Sequence, residues 1–212
     1  MNMETIDTGL TEKQKRIEKV LLDIAIKLSS HGIGSISVFN IGDKIEYEDL
    51  FEPDIIHFNI LDSPRRFEIV SGVDGACIID SEGTLVSYSA MIKNSKPYKN
   101  YGCRHSAAYT ASYNNNIVIM TSEEDRKVRV FKNGSLIMQI DPTEKEVKHK
   151  TKEAVSLLES CGAGTLGTLG ASILIPTFGI TLIPGIIIFG SSHYVLKNII
   201  NLVMDKYGKE FK

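Results

Sequence analysis

Apolar positions recur along this chain with two different periods, and the period switches where the elements change. Ile17, Val20, Leu21, Ile24 and Leu28 keep the three-and-four spacing of an amphipathic helix. Thr11-Glu12-Lys13-Gln14 puts a hydroxyl at the cap and an amide three residues on, a capping box that starts this helix. Gly32 ends it, because glycine tolerates the left-handed backbone of a helix terminus. Ile33 to Phe39 predicts the first strand, whereas residues 43–60 are mixed and interrupted by Pro53. Arg65 to Ser71 then predicts a short helix, Ala76 to Ile79 a strand, Asp80 to Gly83 a turn and Thr84 to Met91 another strand. Lys93 to Asn100 reads as a polar loop containing Pro97, Arg104 to Ser112 as a helix rich in small residues, and Ile117 to Met120 as a buried strand. Val128 to Phe131 and Leu136 to Ile140 flank Asn133-Gly134, a strong two-residue hairpin signal. Together these predict a mixed central sheet flanked by helices, an α/β or α+β layer fold.

The pattern changes at Asp141. Asp141-Pro142-Thr143-Glu144 is a helix start: Asp caps, Pro takes the first helical position, and Glu lies in the first turn. That helix is expected to run to Ser160. From Ser160 to Ser192 no residue is charged, a stretch longer than the roughly 20 residues that span a bilayer. Its glycines would weaken a helix in water, but small residues at this spacing favour close helix packing in lipid. Pro176 and Pro184 predict a break, hence one bent span or a re-entrant helical hairpin. Lysines flank the segment on both sides, Lys145 to Lys152 before it and Lys197 to Lys212 after it, which favours the hairpin. Membrane association is the expectation. The alternative is a buried oligomerisation hairpin. The chain thus divides into a flexible N-terminus (1–10), a layered domain (11–141), a connecting helix (142–160), and a glycine-rich helical segment with a basic tail (161–212).

Composition narrows the function. With 212 residues, 42% hydrophobic and 24% charged, the chain can bury one core and an appendage. A net charge of -2 leaves no basic footprint, so nucleic acid is not an expected partner. The basic run Arg126-Lys127-Val128-Arg129 is short and reads as a solvated turn. Cys77, Cys103 and Cys161 are scattered, which points to a reducing compartment and to no structural zinc. The opening MNMETIDTGL has no apolar core like that of a signal peptide, so the catalytic part is expected in the cytoplasm.

Three short segments carry candidate chemistry. In Val73-Asp74-Gly75-Ala76 an acid and two small residues open a strand, so a ligand can approach the backbone. In Gly102-Cys103-Arg104-His105-Ser106 a glycine precedes Arg and His at a helix start, an arrangement suited to phosphate. In Met120-Thr121-Ser122-Glu123-Glu124 a buried strand delivers a hydroxyl and two acids to its end. Singly, these read equally as a turn former, a surface capping pair and a solvated turn.

Their order is more specific. The helix, the Gly-Ile-Gly-Ser-Ile-Ser-Val-Phe strand, Asp-Gly-Ala, Gly-x-Arg-His-x-Ala-Ala and Ser-Glu-Glu resemble the diadenylate cyclase domain, and with it the nucleotide-binding domain of the DNA-integrity scanning protein. The resemblance implies condensation of two ATP into cyclic di-AMP with release of pyrophosphate, dependent on Mg2+ or Mn2+. It implies that Asp74 acts at the ribose 3′-hydroxyl and the metal, with Gly75 and Ala76 as the adjoining nucleotide loop. Arg104 and His105 are the implied phosphate-binding catalytic pair; Gly102, Cys103, Ser106 and Ser122 are implied nucleotide contacts, and Glu123 and Glu124 implied metal contacts. One chain carries one such site while the product joins two nucleotides, so a face-to-face homodimer or a larger homo-oligomer is expected. The sequence departs from the family's Gly-Thr-Arg-His-Arg pattern at two positions: Cys103 replaces the hydroxyl and Ser106 the second Arg. That leaves a second expectation, a nucleotide-binding sensor that controls the C-terminal hairpin.

Overall fold

The computed structural model of the chain describes residues 11–51, 57–98, 101–142, 179–183 and 186–189. Helix α1 spans Glu12–Ser30 and starts as the capping box requires. Thr11 Oγ1 accepts the Gln14 N–H at 3.2 Å, and Gln14 Oε1 accepts the Thr11 N–H at 2.9 Å. The chain leaves α1 through His31 and Gly32, the latter with φ +72°. There follow β1 (Ser35–Phe39), β2 (Tyr47–Asp49), α2 (Pro64–Val70), β3 (Ala76–Ile79), β4 (Leu85–Ile92), α3 (Cys103–Ala111), β5 (Ile117–Thr121), β6 (Val128–Lys132) and β7 (Ser135–Ile140). Two further strands among the described residues are β8 (Gly179–Ile183) and β9 (Ile186–Phe189).

These strands form one mixed sheet in the order β2-β4-β3-β1-β5-β6-β7-β9-β8. The β1–β3 pair is parallel and the other pairs are antiparallel. Strands β1, β3, β5 and β6 are buried along their whole length, which is why β3 and β5 read as nearly continuous apolar runs, while β1 also buries Ser35 and Ser37 and β6 buries Arg129 and Lys132. Their side chains still alternate between two cores. Ile117 and Ile119 of β5 join the α1 and α2 side with Ile17, Leu21, Phe39 and Phe67. Val118 and Met120 join the α3 side with Ile36, Val38, Ala108 and Phe131. Each Val, Leu, Ile, Met or Phe among them, fully buried, stabilises the fold by about 1.5–3 kcal/mol. The β6–β7 turn has Asn133 at φ +49° and Gly134 at φ +66°, the paired left-handed backbone expected of a two-residue hairpin.

Three sequence expectations change. Strand β2 lies in the stretch read as mixed: it is a three-residue strand at the sheet edge, too short and polar (Tyr-Glu-Asp) to give a period. The basic run at 126–129 is not wholly a solvated turn, because Arg129 belongs to β6 and is only 4% exposed. The C-terminal segment, expected as a helical hairpin, is extended at the residues described, 179–183 and 186–189. Strands β8 and β9 pair antiparallel, and β9 pairs with β7 through Met138↔Ile188, Gln139↔Ile187 and Ile140↔Ile186. The β-branched set Ile180, Thr181, Ile183, Ile186, Ile187 and Ile188 favours an extended backbone over a helix. The expected connecting helix, the N-terminal ten residues and the basic tail lie outside the described residues. Among the described residues no helix is long and apolar enough to cross a membrane.

Candidate functional site

Two elements converge on one cavity. The first is the turn into β3. Gly75 has φ +101°, and a Cβ there would lie 2.6 Å from the Ser89 carbonyl carbon on β4. Only glycine meets both demands. The tight turn leaves Asp74 exposed beside the strand, with its Oδ1 accepting the Gly75 N–H at 3.0 Å. The second element is α3, whose Cys103, Ser106 and Ala107 share a face through three- and four-residue spacing.

Between them opens a cavity of about 600 Å³, within the range of small-molecule sites. Asp74, Gly75 and Ala76 line one wall, and Cys103, Arg104, Ser106 and Ala107 the other. Ile36, Ala90 and Ile92 contribute apolar surface, and Leu50, Met91, Ser95 and Pro97 complete the lining. Arg104 Nη2 also donates to Glu123 Oε1 at 3.0 Å, joining the wall of the cavity to the turn after β5. Gly102 occupies the cap position of α3, and among the described residues no side chain caps this end. The first-turn amides there suit an anion. Ser106 Oγ accepts the Tyr98 N–H at 3.2 Å and donates to the Gly102 carbonyl at 3.3 Å. Its hydroxyl therefore ties the loop before α3 to the helix.

The other flank of α3 is closed. His105 is 7% exposed, turned toward β6, and stacked on Tyr101 with ring centroids 4.5 Å apart. Burial and the Arg129 guanidinium, against the opposing pull of Asp125, push its imidazole down from 6.5 to about 4. The ring is neutral at pH 7. Its Nε2 is buried and, among the described residues, has no hydrogen-bond partner. Arg129 forms a two-pronged ion pair with Asp125, donates from Nε to Gln139 Oε1 at 3.1 Å, and lies under the Tyr101 ring at 5.7 Å. Burial raises the Asp125 carboxyl, but the hydrogen bonds and charge of Arg129, with help from Ser122 and the Lys127 N–H, hold it below 3.8. Ser122 is buried, with Oγ accepting the Asp125 N–H at 3.4 Å. Glu123 and Glu124 are exposed in the turn that follows.

The structure thus gathers Asp74, Gly75, Ala76, Cys103, Arg104 and Ser106 around one cavity and links Glu123 to it through Arg104. It does not bring Asp74, Glu123 and Glu124 into one cluster: among the described residues, no three His, Cys, Asp or Glu side chains group closely enough to hold an ion. His105 and Ser122 stand on the β6 side instead. Sequence reasoning missed Leu50 and Met91, exposed apolar residues on the cavity lining, for which no periodic signal exists. It also missed Arg129, whose burial depends on the register Met120↔Arg129 across β5 and β6.

A family profile described as DAC, DisA bacterial checkpoint controller nucleotide-binding, matches residues 24–136. The chain belongs to this family of nucleotide-binding domains, and the match runs from within α1 to within β7. Among curated proteins it is similar to a diadenylate cyclase of Methanocaldococcus jannaschii, 32% identical over 156 residues. That match covers 66% of this chain and 48% of the relative, so the chain spans about half the relative's length. Among solved structures it is similar to a hypothetical membrane spanning protein from Bacillus cereus, with TM-score 0.44, 19% identity, and coverage of 56% of this chain and 61% of that one. It is also similar to a double mutant of DacA from Staphylococcus aureus, with TM-score 0.39, 20% identity, and coverage of 59% and 87%.

Proposed function

We propose that the chain is a diadenylate cyclase, condensing two ATP into cyclic di-AMP and two pyrophosphates. The observation that carries this reading is the shared cavity: an exposed carboxylate, Asp74, and a guanidinium, Arg104, line facing walls of one small-molecule-sized space. A ribose 3′-hydroxyl attacking an α-phosphate needs a base for its proton, and Asp74 has that chemistry. Charge grows on the phosphate oxygens as the bond forms, and Arg104 with the first-turn amides of α3 would hold it. The proton passes from the hydroxyl to Asp74, and the pyrophosphate leaves toward solvent.

Asp74 would also hold Mg2+ or Mn2+. Such ions commonly use one or two carboxylates with substrate phosphates and water, so a single exposed carboxylate fits. The bound ion would neutralise phosphate charge. Two chains facing one another would complete the product, as a homodimer or larger homo-oligomer. Exposed Leu50, Phe51, Ile69, Val73 and Met91 support that reading, since they lie on or near the elements that carry Asp74 and the cavity lining. We place this domain in the cytoplasm, associated with the membrane through the uncharged C-terminal segment. Fractionation that leaves the full chain soluble and dimeric without detergent would contradict the membrane part.

The test is the product. Full-length protein with ATP and Mg2+ or Mn2+ should yield cyclic dinucleotide on chromatography. Unreacted ATP with every metal, from a folded dimer, would overturn the enzyme reading. Ser106 favours a second reading: its hydroxyl is engaged by Tyr98 and Gly102, and the position carries no second guanidinium. ATP binding without turnover in calorimetry would make the chain a sensor that controls its hydrophobic C-terminal segment.

A further inference from the structure

We infer that Gly34 is the positioning residue for Arg104, its missing side chain being the seat on which the Arg104–Glu123 ion pair rests. The inference rests on the nucleotide reading of the cavity and adds a residue outside it. Gly34 immediately precedes β1, between the end of α1 and the sheet. The segment around it is fixed from two sides. Thr121 Oγ1 donates to the Ile33 carbonyl at 2.7 Å and lies 3.1 Å from Ser35 Oγ, and Ser35 pairs with Thr121 across β1 and β5. The backbone at Gly34 cannot easily retreat.

A Cβ on Gly34 would lie 2.5 Å from Arg104 Nη1, 2.8 Å from Arg104 Cζ and 2.9 Å from Glu123 Cγ. Real Cβ atoms do not approach other heavy atoms so closely, so one methyl group would displace both partners of the ion pair. Gly34 does not have the positive φ that makes other glycines irreplaceable, unlike Gly32 and Gly75. The need for glycine here comes from space and not from backbone strain. The guanidinium meets this seat at Nη1 and Cζ, meets Glu123 at Nη2 and lines the cavity, so that a planar group fixed at these points is pre-organised for a phosphate there.

Gly34→Ala tests this directly. The variant should fold, with an unchanged melting temperature, because alanine is compatible with the backbone. Its affinity for ATP, measured by calorimetry on the full chain with Mg2+, should fall roughly tenfold or more, the scale of a charge-assisted phosphate contact. In an Arg104→Ala background the same substitution should have no further effect, because a positioning residue acts only through the group it positions. Gly72→Ala is the control: its Cβ would meet Ile33 Cγ2 at an ordinary 3.5 Å, and affinity should not change. Equal affinity of Gly34→Ala and wild type overturns this inference alone, as does a loss that is additive with Arg104→Ala. Absence of ATP binding by the wild type overturns the nucleotide reading and this inference with it.

Discussion

The two flanks of α3 differ in almost every physical respect. Toward β3 and β4 the helix faces an open cavity with an exposed acid and a guanidinium. Toward β6 it faces a packed network in which Arg129 pairs with Asp125 and donates to Gln139, and the Tyr101 ring lies against both His105 and Arg129. Arg104 and His105 are neighbours in sequence, yet successive helical residues point about 100° apart, so they serve different flanks. The two residues of this motif therefore stand in different surroundings: Arg104 lines the cavity, while His105 is buried and stacked on Tyr101. A neutral, buried imidazole is a poor anion ligand but a good packing partner for a tyrosine ring.

The largest effect should come from the open flank. Asp74→Asn should lower cyclic dinucleotide formation roughly 10²–10⁴-fold, the usual worth of a positioned general base, without moving the melting temperature. Chromatography and a thermal melt on the same sample check both halves. On the closed flank, Arg129→Ala should cost about 3 kcal/mol in urea unfolding, the lower end for breaking a buried ion pair, because Asp125 still reaches solvent.

The closed flank should also make stability depend on pH. His105 is depressed to about 4 in the folded chain against an ordinary value of 6.5, so between these values the unfolded chain binds the extra proton. Its contribution is complete above pH 6.5 and is lost as pH falls from there toward about 4. Asp125 is also depressed, from 3.8, so its contribution is lost only as pH falls below that value, in a separate window. Urea midpoints in mildly acidic and neutral buffer should differ for wild type and much less for His105→Phe, which keeps the ring against Tyr101. The smallest effect is at the boundary between the flanks. Ser106→Arg should raise turnover severalfold, equivalent to about 1 kcal/mol for an added phosphate contact offset by the lost Tyr98 and Gly102 bonds. Steady-state rates with ATP check it.

Most of the layered domain was legible because its signals are local. The Thr11–Gln14 capping box, the Asn133-Gly134 turn and the apolar runs of β3 and β5 each state their own structure. The cavity was half legible: Asp74-Gly75-Ala76 and Arg104 carry polar or small residues where a core strand or helix would not place them. What escaped depends on partners distant in sequence. Arg129 looks solvated until β6 is set beside β5, and Gly34 looks like a helix-to-strand linker until Arg104 and Glu123 arrive above it. In the C-terminal segment the pairing of β9 with β7 was not legible, because glycines and missing charges carry no strand period and the register depends on a partner strand about 50 residues away.

The division of labour across α3 is tested most directly by comparing Arg104→Ala and Arg129→Ala for the rate of cyclic dinucleotide formation per folded molecule, each well below its own melting temperature. Arg104→Ala should lose roughly tenfold or more of the rate at unchanged stability, as expected for a phosphate contact. Arg129→Ala should melt earlier but keep its rate to within about twofold, since it touches only the closed flank. Equal losses of rate in the two variants, or the larger loss in Arg129→Ala, would contradict the account.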